Sequence, residues 1–159
     1  LGHPVYALSV ILFTLLLFSG IGSYLVKQNK LSDKTYILRP LALCSLLALT
    51  LFYIPQFKEA FIHHNTSMRI LLSVALLIPI SLFMGMMFPL GVSAAKAKHA
   101  NLLPWFWALN GAASVFASIS SVIISMNFGA SATYATGLIF YIICFLTCLH
   151  LRKQFSRNL

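Results

Sequence analysis

The sequence predicts an all-α protein, a polytopic helical membrane bundle with about five transmembrane helices, and three observations predict it. Of the 159 residues, 60% are apolar and 8% are charged, against about 45–50% and about 25% in a soluble domain, so water cannot solvate most of this surface. Uncharged stretches of about 20 residues, the length a helix needs to cross a bilayer, recur along the chain. The punctuation between them is basic, with 11 Lys and Arg against 2 acids. A net charge of +9 would suggest nucleic acid in a soluble chain. Set between apolar spans it reports topology, and no nucleic-acid partner is predicted.

Residues 1–159 are read as one transmembrane domain, a piece of a longer protein, with spans at about 5–26, 41–54, 70–95, 102–126 and 132–151. The first is free of charge up to Lys27, and Lys27, Lys30, Asp33, Lys34 and Arg39 after it read as a loop. Pro40 and Pro55 bracket the second, since proline is tolerated at a helix start and its predecessor is disfavoured as helix. Between the second and third spans, Phe57, Phe61 and Ile62 alternate with Lys58, Glu59, His63 and His64, the pattern of an interfacial turn. The third span is interrupted by Pro79, Gly85, Pro89 and Gly91 and closed by Lys96, Lys98 and His99. The uncharged run from Ala100 to Leu151 is too long for one crossing, and Asn127-Phe128-Gly129-Ala130-Ser131 supplies the turn that divides it.

Alternating crossings place Lys27, Lys30, Lys34, Arg39, Lys96, Lys98, Arg152, Lys153 and Arg157 on one side and leave Lys58 and Arg69 on the other. The positive-inside rule then puts the C-terminus in the cytoplasm and residue 1 outside. An outward start without a basic leader is explained if another crossing precedes Leu1.

Several chemistries are excluded. The only acids, Asp33 and Glu59, fall on opposite sides of the bilayer, so no carboxylate pair exists for acid–base work. No predicted span carries a charge of the kind that ion-coupled transport retains. Neither a phosphate loop nor a zinc or nucleophile motif occurs. Cys44, Cys144 and Cys148 read as small core residues. His63 and His64 point about 100° apart on a helix and lack a third ligand. No catalytic residue, metal or cofactor is predicted.

Two patterns remain as candidate sites for helix packing or for lining a pathway. In the fourth span, Asn101 caps the start, Pro104 sits in the first turn, and Trp105 and Trp107 read as interfacial anchors. Deeper in, Asn110, Ser114 and Ser118 recur four apart with Gly111 alongside, a small polar face that seeks another helix or lines a path. In the third span, Pro89 clashes with the carbonyl of Gly85, breaking the helix near Gly85, Pro89 and Gly91; such breaks shape packing or border cavities. Asn110 is predicted to hydrogen-bond another helix near this break. Ser19-Gly20-Ile21-Gly22-Ser23 reads as a close-contact surface.

The segments Leu1-Gly2-His3-Pro4-Val5-Tyr6-Ala7-Leu8, Met84 to Gly91 and Pro104 to Ser114 resemble the membrane region of bacterial spermidine synthase-like proteins. There, an aminopropyltransferase-like domain is fused to several membrane spans. The resemblance covers nearly the whole chain, with Met86-Met87 a departure where related sequences tend to read Met-Pro. It implies an inner-membrane module that anchors and assembles such a protein, its partners being the lipid bilayer, other membrane helices of the same protein or a homo-oligomer, and an attached soluble domain. No catalytic residue carries over, since the family's catalytic positions lie in that soluble domain. The alternative reading is transport or channelling of a polyamine or other small amine.

Overall fold

In a computed structural model of the chain, residues 4–28, 33–62, 65–96 and 100–157 are described. They form five long helices, α1 (Pro4–Gln28), α2 (Asp33–Ile62), α3 (Thr66–Lys96), α4 (Leu103–Phe128) and α5 (Ala130–Arg157), with a 3-10 turn at Ala100–Leu102 before α4. Each of the five is long and apolar enough to cross a membrane. Helix is the form hydrocarbon imposes on such sequences, because a backbone amide or carbonyl without a partner there costs several kcal/mol. No strand occurs among the described residues.

The largest departure from the sequence reading is α2. It starts at Asp33, so Arg39 lies inside the helix and Pro40, far from opening it, is a buried interior residue. Pro55 does not end the helix either, and the chain stays helical through Ile62. Proline is tolerated within such helices because neighbouring groups re-satisfy the freed backbone more cheaply than lipid tolerates a loop. At 30 residues and about 1.5 Å each, α2 overruns the about 30 Å hydrocarbon core, which places its polar ends among headgroups. The predicted interfacial turn is therefore partly the last turns of α2; His63 and His64 lie outside the described residues.

Pro79 and Pro89 likewise sit inside a continuous α3. Asn101 does not cap α4, because the 3-10 turn takes it up and Leu102 becomes the capping residue without a side-chain bond. The sequence reads a turn over 127–131, and the structure narrows it to Gly129, since Asn127 and Phe128 end α4 and Ala130 and Ser131 begin α5. Gly129, with φ +84°, is the one non-helical residue between α4 and α5, and its N–H donates to the Ser125 carbonyl at 3.0 Å.

Helix α3 is the central element, packed along α1 and against α2; α5 lies on α2, while α4 lies on α5 and touches α3 lightly. Val26, Met86 and Leu90 form one buried cluster, with Tyr36 of α2 against it. Leu43 and Leu47 of α2 and Ile80 of α3 form another, covered by Tyr134, Leu138 and Tyr141 of α5. Gly22 meets Leu82, and Val26 a turn later packs with Met86 and Leu90, so α1 and α3 run in the same direction, as first and third crossings of a bilayer must.

Buried hydroxyls bond within their own helices. Thr14 Oγ1 donates to the Val10 carbonyl at 2.7 Å, Thr50 Oγ1 to Leu46 at 2.7 Å and Ser81 Oγ to Leu77 at 2.6 Å. Outside, large apolar side chains such as Phe13, Leu16, Phe52, Phe116 and Phe140 stand exposed on every helix of the periphery. In water such a surface would aggregate; against lipid it is at home, and the structure accords with bilayer contact.

Candidate functional site

Helices α1 and α3 are the most extensively packed pair, and they approach closely at two glycines. A Cβ added at Gly22 would overlap the Leu82 carbonyl, and one added at Gly85 would overlap the Ser19 backbone. Small residues on each helix thus meet backbone on the other, the arrangement by which membrane helices gain van der Waals contact where no hydrophobic force drives association. Gly85 thus packs against the Ser19 backbone, and it also borders the cleft beside that contact.

Beside this contact the helices part around a cleft of about 720 Å³. Its walls include Ser19, Ser23 and Tyr24 of α1, Phe88 and Pro89 of α3 and Trp107 of α4. Phe88 and Trp107 meet edge to face, with ring centroids 4.8 Å apart and planes at 72°. This is a favoured aromatic geometry, and it is where α4 leans on α3. Hydroxyl-bearing and aromatic side chains line the cleft beside apolar Leu16, Val26 and Val92. The structure assigns it neither an acid nor a base.

The predicted site residues divide into two groups. Gly85 and Pro89 come together with Trp107 at the cleft. Asn110, Gly111, Ser114 and Ser118 are exposed on α4, which has no buried residue, and Gly91 is exposed on α3. The expected break at Gly85–Pro89 is absent, since α3 is helical throughout, and the expected bond from Asn110 to it does not form; Trp107, one turn earlier, reaches Phe88 in its place. The serines of α4 turn back on their own helix, Ser114 Oγ donating to the Asn110 carbonyl and Ser118 Oγ to the Ser114 carbonyl, both at 2.8 Å. An i−4 carbonyl is held in reach by the helix itself, so this bond forms without ordering a second element. Trp105, 67% exposed, and Trp107, 63% exposed, stand at the start of α4 as interfacial tryptophans do.

Ser19, Gly22, Ser23 and Tyr24 belong to this site although the sequence marks only a contact surface there. Their signal is the recurrence of small residues three and four apart in α1; the identity of the facing helix has no local signature. Among the described residues, no group of three or more His, Cys, Asp or Glu is placed to hold a metal ion. Comparison with protein-family models, with characterised proteins and with solved structures finds no match to this chain.

Proposed function

We propose that this chain is a membrane module that anchors and assembles a spermidine synthase-like protein in a bacterial inner membrane, with the C-terminus and the nine-cation end in the cytoplasm. The observation that carries this reading is α4, a full membrane-length helix with no buried residue and a small polar face left uncovered. A helix of that kind is built to receive another helix, and the resemblance of the Met84 to Gly91 and Pro104 to Ser114 segments supplies the kind of protein it serves. Catalysis belongs to the aminopropyltransferase-like domain that the resemblance implies.

A second reading is favoured by the cleft. Tyr24, Phe88 and Trp107 line it, and aromatic rings attract ammonium groups, so a polyamine or other small amine suits its lining. Purified chain reconstituted in proteoliposomes decides between the two. The anchor reading expects radiolabelled spermidine uptake equal to that of empty vesicles, and no rise in thermal midpoint beyond an inorganic-cation control. Saturable uptake lost in Trp107→Ala would replace it with the transport reading.

A further inference from the structure

Arg39 is a cation inside a membrane-spanning helix. It lies four residues past Thr35, where the apolar window of α2 begins, which is about 6 Å of helix rise. Its side chain is half-buried, and its Nη1 is buried without a hydrogen-bond partner. The chain holds just two acids, Asp33 and Glu59, and along α2 they stand about 9 Å and about 30 Å of rise from Arg39. A buried guanidinium nitrogen with no acceptor, and with no carboxylate beside it among the described side chains, is the arrangement that calls for an anion from outside the chain.

The surroundings specify the anion. Tyr36, one turn before Arg39, packs on the cluster of Val26, Met86 and Leu90, so Arg39 sits where α1 ends, α2 begins and α3 ends. Lys96, exposed in the last turn of α3, belongs to the same end of the bundle. In a helix the Cα–Cβ bond tilts toward the N-terminus, so a residue near the start of α2 leans its long side chain back to the headgroup plane. A planar fork of donors at that depth matches the oxygens of a phosphate.

We propose that Arg39 is the centre of a binding site for the phosphate of an anionic phospholipid headgroup, set between the start of α2 and the end of α3. The open edge of the guanidinium meets the phosphate, and the lipid supplies the counter-charge. Anionic lipids are commonly held by basic pockets between membrane helices. The site does not depend on which protein the module serves.

The test follows the thermal unfolding midpoint of the purified chain in neutral detergent while phosphatidylglycerol, phosphatidylcholine or inorganic phosphate is added. Each variant is compared with its own lipid-free midpoint, so a lower starting stability does not enter. Phosphatidylglycerol is expected to raise the midpoint more than phosphatidylcholine, by preferential binding to the folded chain. Half-saturation in Arg39→Gln is expected at about tenfold more lipid, as loss of one charge-assisted contact implies, with Arg69→Gln, at the opposite end of α3, close to the unaltered chain. Equal shifts from the two lipids, or an unchanged response in Arg39→Gln, would overturn the site. A shift reproduced by inorganic phosphate would overturn the lipid assignment in favour of a soluble phosphate. If Arg39→Gln does not fold, Arg39→Lys decides, because it keeps the charge and loses the fork; a several-fold weaker response supports the site and an unchanged one overturns it.

Discussion

Gly85 of α3 lies so close to the backbone of Ser19 of α1 that no methyl group fits between them, and Gly22 of α1 stands in the same relation to Leu82 of α3. Both obstructions are main chain, which cannot rotate aside as the end of a side chain can. Gly85→Ala and Gly22→Ala are therefore expected to push the helices apart and to destabilise the bundle by about 1–3 kcal/mol each. Gly20→Ala and Gly91→Ala add a Cβ that meets nothing. They are expected to be neutral or to stabilise by up to about 1 kcal/mol through helix propensity. Unfolding by sodium dodecyl sulfate in mixed micelles separates the pairs, and equal effects at all four positions would refute the close approach.

The contact between α3 and α4 rests on Phe88 and Trp107. A double-mutant cycle through Phe88→Leu and Trp107→Leu is expected to give a coupling of about 0.5–1.5 kcal/mol. Strictly additive losses would mean that the rings do not meet in solution.

Replacing Ser114 and Ser118 with Ala should change the stability of the isolated chain by less than about 0.5 kcal/mol. Their hydroxyls bond to carbonyls of their own helix and face outward, so nothing buried is left unpaired. A loss of 2 kcal/mol or more, on the order of a broken buried bond, would show that another helix covers them.

Gly129 holds the single-residue link between α4 and α5 at φ +84° and ψ 168°, an essentially glycine-only region that costs a residue with a Cβ about 1–3 kcal/mol. Gly129→Ala is expected to lower the unfolding midpoint by a corresponding amount, while Ala130→Gly, one residue on and helical, should cost about 1 kcal/mol by propensity alone. A Gly129→Ala variant as stable as the unaltered chain would contradict this link.

The fold was legible because lipid leaves few options. Charge-free windows bounded by Lys27, Arg69, Lys96 and Arg152 mark the helices, and Gly129 marks the one break inside a charge-free run. The start of α2 was not legible, since Lys34, Arg39 and Pro40 together mimic a loop and only burial of Pro40 and packing of Tyr36 reveal a helix there. At the site, Gly85 and Pro89 stand out by residue type alone. Their neighbours Ser19 and Tyr24 could not be assigned, because which helix faces which is decided by shape along two whole helices. The same limit applies to Asn110, a residue whose chemistry asks for a partner that α3 does not provide.

That uncovered face is the centre of the proposed role, and reactivity along α4 tests it most directly. With Cys44, Cys144 and Cys148 replaced by Ala, single substitutions Asn110→Cys, Ser114→Cys, Ser118→Cys, Phe116→Cys, Ile119→Cys and Ile123→Cys are labelled with a lipid-soluble maleimide in the membranes of cells making the protein. Assembly through the small polar face predicts slow labelling at positions 110, 114 and 118 and fast labelling at 116, 119 and 123, a helical period of shielding. Equal rates around the helix would contradict assembly through α4.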